Sequence, residues 1–218
     1  MFIIGTVGLS ILGNKNIGYI LYSVHIVSSL IYAFLTKKNA PTHFSENKNI
    51  TEATKNPFTT SVREACISTL IIGGYIVFFS VICELLITFS PFKSDIITAI
   101  LCGTVEVSNG IIMLSLTPFY APLKLALCSL FLAFSGICIT LQTLDTINDL
   151  NISFKNYLKG KIIIAIISFV ITYFIFSIYT PPLNVFNDFS SAIKTYTGYI
   201  FWASFIPSMI ILFYSTKN

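Results

Sequence analysis

The run Ile162-Ile-Ile-Ala-Ile-Ile-Ser-Phe-Val-Ile-Thr-Tyr-Phe-Ile-Phe-Ser-Ile-Tyr179 decides the fold class of this chain. It lies in a charge-free window of 26 residues, Ile162 to Asn187. Crossing the hydrocarbon core of a bilayer takes about 20 apolar residues as a helix. Four more charge-free windows have this scale: 21 residues from Asn16 to Thr36, 19 from Ala65 to Cys83, 20 from Leu125 to Leu144 and 22 from Thr195 to Thr216. Across all 218 residues, 55% are apolar, 10% are charged and the mean hydropathy is +0.82. Soluble domains are about one-quarter charged, so a water-soluble globule is excluded. The expected fold is all-α, a polytopic membrane helical bundle.

The net charge of +4 is small and scattered, with no Lys/Arg run of the kind that tracks phosphates, so no nucleic-acid partner is expected. The lysines fit loops at the lipid headgroups. Cys66, Cys83, Cys102, Cys128 and Cys138 fall in or beside apolar segments without a C-x-x-C pair. They read as buried, inert thiols, with no metal site and no disulfide framework. The N-terminus has no basic n-region and no small-residue cleavage site, unlike a secretory signal. Its apolar run is also too short to span before Gly13-Asn14-Lys15-Asn16 interrupts it.

Three regions follow. Residues 1–36 read as a half helix plus one span. Residues 37–60, with Lys37, Lys38, Glu46, Lys48, Glu52 and Lys55 among Asn and Thr, form a polar linker. Residues 61–218 form a second membrane block. In it, Ser61 and Glu64 have capping-box spacing at the start of a helix to Phe89, and Gly73-Gly74 permits close approach or a bend. The segment Ser94–Leu116 is interrupted at Glu106-Val-Ser-Asn-Gly110, and Leu123–Leu141 at Ser135-Gly136. Two spans, Lys161–Tyr179 and Ala192–Tyr214, close the chain, and no internal repeat stands out.

Cationic residues test the path of these segments, because cytoplasmic loops carry the excess. If every segment crosses, Lys15, Lys93, Lys155, Lys159, Lys161 and Lys217 share one side, 6 in all. The other side holds 7: Lys37, Lys38, Lys48, Lys55, Arg63, Lys124 and Lys194. That split gives no orientation. If Pro122–Leu141 dips in and returns at Ser135-Gly136, the split becomes 10 against 3 (Lys15, Lys93 and Lys194). A re-entrant hairpin is therefore expected, with the 37–60 linker and the C-terminus cytoplasmic. Non-helical backbone at that depth requires surrounding protein or a water-filled cavity.

Glu106 is the most informative residue. It lies about 18 Å into its segment at 1.5 Å per residue, near mid-bilayer. A carboxylate there costs at least about 2.5 kcal/mol on insertion scales, so it must be paired, protonated or facing a cavity. Ser108, Asn109 and Gly110 place small polar groups and permissive backbone beside it. Interrupted helices of this kind expose free N–H and C=O groups to solutes at the midplane of secondary transporters. In that reading Glu106 is a cation ligand or proton carrier, while Ser108, Asn109 and the unwound backbone bind substrate. Ser135, Gly136 and Thr140, with Gln142 just beyond, suit a neutral or zwitterionic solute. The alternative is that both clusters only pack helices. Glu84 lies near its helix end and reads as structural, as does the lone mid-span His25, as a hydrogen-bonded packing residue. No H-E-x-x-H, G-x-S-x-G or P-loop occurs, so neither an enzyme nor a cofactor is expected.

Three stretches together carry a family resemblance: Ile72-Gly-Gly-Tyr-Ile-Val-Phe-Phe-Ser80, Gly103-Thr-Val-Glu-Val-Ser-Asn-Gly110 and Leu132-Ala-Phe-Ser-Gly-Ile-Cys-Ile-Thr-Leu-Gln142. Phe2-Ile-Ile-Gly-Thr-Val-Gly8 and His25 fit in the same order. The chain resembles the sporulation integral membrane protein YlbJ family, which is related to nucleoside-recognition Gate-domain membrane proteins. The resemblance implies a multi-pass protein of the bacterial cell membrane, transporter-like in fold, acting in spore formation. Members of that family are about twice as long. This chain corresponds to the C-terminal half, and a partner (the other half or a second copy) would complete a site between halves. The competing function is a non-transporting scaffold of the spore-forming membrane.

Overall fold

The computed structural model describes residues 2–37, 57–89, 95–118, 120–147 and 153–179. Every regular element among them is helical. A π-helix at Ile3–Ile11 is followed by α1 (Lys15–Thr36), α2 (Pro57–Phe89), α3 (Asp95–Val105), α4 (Val107–Leu116), α5 (Ala121–Phe134), α6 (Gly136–Ile147) and α7 (Phe154–Ile178). Four stretches are long and apolar enough to cross a membrane: Lys15–Thr36, Phe58–Phe89, Ala121–Leu144 and Phe154–Ile178. The all-α bundle read from the charge-free windows is the observed fold. The span expected at Ala192–Tyr214 and residues 38–56 of the 37–60 linker lie outside the described residues.

The short N-terminal run does not span. It folds back on α1 through Gly13 at φ 66°, and Asn14 then caps α1 by accepting the Asn16 N–H at 3.0 Å. A Cβ on Gly8 would come within 2.5 Å of the Gly18 Cα, so only two glycines allow this approach. The next interrupted segment repeats the device. Glu106 leaves helical geometry at φ −138°, ψ 121°, and α4 returns along α3. There a Cβ on Gly110 would lie 2.1 Å from the Gly103 Cα. On its other side Gly103 faces Phe131 of α5, whose ring a Cβ would meet at 2.6 Å. The core sits where these elements meet, around Ile17, Leu21, Ile111, Leu114, Phe131 and Phe176.

At Ser135-Gly136, where the hairpin is expected, both residues leave right-handed helical geometry, Ser135 at φ 70° and Gly136 at φ 67°. Its two arms take different neighbours, however. Helix α5 lies along α7, whereas α6 lies against α2 and α3. The segment whose arms pack on each other is α3–α4. Two helix starts also differ from expectation. Helix α2 begins at Pro57 rather than at Ser61, because Pro suits a first helical turn whose N–H groups have no partner. Helix α7 begins at Phe154, so the lysine-bearing stretch before Lys161 is already helical. Gly73 and Gly74 have nothing within 4 Å of an added Cβ, so the close approach anticipated for them does not occur among the described residues. Cys66 is exposed, and the other four thiols are buried as expected.

Candidate functional site

The backbone interruption at Glu106 creates a helix N-terminus inside the bundle, and Glu106 fills it. One carboxylate oxygen accepts the Ser108 N–H at 3.0 Å and the other accepts the Asn109 N–H at 2.8 Å. A carboxylate placed on the first free N–H groups of a helix is favoured by both hydrogen bonding and the helix dipole. Glu106 is 4% exposed. The bland and the functional readings of the sequence thus meet in one residue, an ionisable group closed over by its own helix start.

The structure brings the second cluster to the first. A Cβ on Gly136 would lie 3.1 Å from the Val105 carbonyl oxygen and 3.5 Å from that of Thr104. The break between α5 and α6 therefore abuts the break between α3 and α4, although the two are 30 positions apart in sequence. At this junction Ser135 donates to the Leu132 carbonyl at 3.2 Å and accepts from the Lys161 ammonium at 2.9 Å. The carboxylate of Glu106 thus lies at one break and the ammonium of Lys161, reaching in from α7, at the adjoining one.

The remaining expected residues take different roles. Asn109 donates from its side-chain amide to Ser80 of α2 at 3.1 Å, which fastens the hairpin to its neighbour. Gly110 is the close-packing residue against Gly103, and its N–H donates to the Glu106 carbonyl at 3.2 Å. Ser108 contributes its backbone N–H to Glu106 and is half-buried. Thr140 turns its hydroxyl back to the Gly136 carbonyl at 2.7 Å, and Gln142 donates to the Cys138 sulfur at 3.2 Å. Both of these bonds stay within α6. Cys83 of α2 and Cys102 of α3 each donate to the other's carbonyl, at 3.8 and 3.9 Å. No cluster of three metal-ligating side chains occurs among the described residues.

Two lysines carry more than the sequence suggested. Lys124, counted as a loop cation, is 5% exposed and donates to the Ser115 carbonyl at 2.9 Å, at the end of α4. Lys161, counted likewise, reaches the junction. The available signal was position: Lys161 is the last charge before the longest apolar run, and a helix starting one or two turns earlier carries it inward. No family model, curated protein or solved structure matches this chain.

Proposed function

We propose that this chain is a multi-pass protein of the bacterial cell membrane that acts in spore formation and handles a small polar solute, transporter-like, at the junction of its two broken segments. The observation that carries this reading is the meeting of two interrupted helices, one bearing Glu106 and the other receiving Lys161. Pure packing needs neither interruption, and an ion in hydrocarbon costs at least about 2.5 kcal/mol on insertion scales.

Depth is consistent with such a site. Helix α3 has 11 residues and α5 reaches Ser135 after 14, which is roughly 16 and 21 Å at 1.5 Å per residue. If both enter from one membrane face, their breaks lie near the middle of a core about 30 Å thick. Lys161 lies about 10 Å along α7, which starts from the opposite face and so reaches the same level. With α3–α4 as the re-entrant hairpin and α5–α6 crossing, the cations again divide unevenly. Lys15, Lys93, Lys124 and Lys194 make 4 on one side, against 8 on the other: Lys37, Lys38, Lys48, Lys55, Arg63, Lys155, Lys159 and Lys217, with Lys161 inside the membrane. This keeps the linker and the C-terminus cytoplasmic. The spore-formation context rests on the sequence resemblance, as does a second wall supplied by another half or a second copy.

A scaffold reading draws on one observation, that both oxygens of Glu106 are already engaged by its own helix. Glu106→Asn separates the two, because Asn is among the best N-caps but carries no charge. A folded but inactive Asn variant, scored by restoration of spore formation in a strain lacking the protein, supports solute handling. Normal spore formation by that variant overturns it. Cysteines at Asn109 and Ser135 should also react with an impermeant maleimide in sealed vesicles, and folded protein that stays unlabelled favours the scaffold.

A further inference from the structure

Lys161 is held by neutral partners: the Ser135 hydroxyl at 2.9 Å and the Tyr157 ring, whose centroid is 5.8 Å away. An ammonium has three N–H donors, so these partners leave it with donor capacity and no compensating negative charge. Helix α1 packs on this part of α7. A Cβ on Gly160, the residue before Lys161, would lie 2.9 Å from the Tyr32 hydroxyl. His25, Ser28 and Tyr32 are spaced i, i+3 and i+7, hence on one face of α1.

Two polar atoms on that face are unusual. The Ser28 hydroxyl, in a side chain 0% exposed, and the His25 Nδ1 are buried without a hydrogen-bond partner. A buried polar group left unpaired costs about 1–3 kcal/mol, and such exceptions call for a specific explanation. Both belong to the α1 face on which Tyr32 meets Gly160, the residue before Lys161. The third such atom, the Thr172 hydroxyl, lies roughly 16 Å further along α7 at 1.5 Å per residue and belongs elsewhere.

We propose that Lys161, with Ser28 and His25 of α1 and Ser135 at the α5–α6 break, forms a binding site for the anionic group of a small solute, a carboxylate or a phosphate. Ammonium, hydroxyl and imidazole N–H all donate, and no carboxylate belongs to the set. An oxyanion placed there neutralises the ammonium and satisfies the unpaired atoms in one step. The inference rests on the proposed solute handling and assigns that solute a negative charge at the end held by α1 and α7.

The test is equilibrium dialysis of the purified full chain in detergent against radiolabelled acetate and, separately, radiolabelled inorganic phosphate, with acetamide as the neutral control. Saturable binding of either anion, but not of acetamide, is expected, and the better-bound anion identifies the group. Binding should weaken at least tenfold in K161Q and several-fold in S28A. It should persist in K161R, which keeps the charge. Absence of saturable anion binding by the folded wild type overturns the site, as does unchanged binding in K161Q. If K161Q does not fold, unchanged binding in S28A overturns it. Anion binding that depends on Lys161 in a protein unlabelled at positions 109 and 135 would keep this site and discard the solute-handling reading. Labelling without anion binding would do the reverse.

Discussion

Glu106 and Lys124 hold opposite ends of the same helix. The carboxylate accepts two N–H groups where α4 begins, and the ammonium donates to the Ser115 carbonyl where it ends. At 10 residues α4 is too short to be stable alone. Both charges have the sign that the helix dipole favours at their positions. Lys124→Met keeps the side chain's bulk but leaves the Ser115 carbonyl without its charged donor. We expect a loss of about 1.5–3 kcal/mol, read as a lower thermal midpoint in detergent. An unchanged midpoint would show that Lys124 only fills space.

Glycine substitutions should split by location, which helix propensity alone does not produce. Gly110→Ala puts a Cβ 2.1 Å from the Gly103 Cα, backbone against backbone. The hairpin must spread, at a cost of about 3 kcal/mol, the upper end of ordinary overpacking. Gly74→Ala meets nothing within 4 Å and should stabilise α2 by about 0.5–1 kcal/mol through backbone entropy. Equal thermal shifts for the two variants would refute the α3–α4 packing.

Ser129 of α5 and Ser168 of α7 share a buried hydrogen bond with their hydroxyl oxygens 2.6 Å apart. Removing the Ser129 hydroxyl orphans that of Ser168, at about 1–3 kcal/mol, whereas in the converse case Ser129 keeps the Ser168 carbonyl 3.4 Å away. Removing both leaves nothing unpaired. The S129A/S168A double variant should therefore be less destabilised than the sum of the singles, by 0.5 kcal/mol or more in a double-mutant cycle. Strict additivity would mean that the two hydroxyls do not depend on each other.

The helical membrane character was legible because charge-free length is a one-dimensional property. The break at Glu106 was legible for the same reason: a carboxylate inside such a window needs an explanation. What the sequence could not show is which break folds back. That depends on Gly103 meeting Gly110, a contact no more visible in sequence than the unused pair Gly73-Gly74. The meeting of Gly136 with Val105, and of Lys161 with Ser135, likewise depends on tertiary packing. The sequence also carries a weak internal correspondence. Gly5-Thr6-Val7 recurs as Gly103-Thr104-Val105, and Ser29-Leu30-Ile31-Tyr32-Ala33-Phe34 resembles Ser129-Leu130-Phe131-Leu132-Ala133-Phe134. Read together, these pairs match the π-helix to the stretch around Glu106, and α1 to α5.

Ser135 is the one non-glycine residue among those described with a positive φ, 70°. A left-handed conformation costs an L-residue roughly 1–2 kcal/mol that glycine avoids. Strain of this kind persists where the surrounding structure or the function demands it. Two substitutions separate these demands. Ser135→Ala keeps the strain and deprives Lys161 of its oxygen. Ser135→Gly also removes the oxygen but relieves the strain. If the turn alone matters, the glycine variant should match or exceed the wild type in thermal stability and in the spore-formation assay of the proposed function. If the hydroxyl is retained to position Lys161, the glycine variant should be more stable than the alanine variant by about 1 kcal/mol. In that case both variants should fail equally in the spore-formation assay of the proposed function. We expect the second outcome, because a glycine already follows at 136 and the turn had a ready alternative to a strained serine.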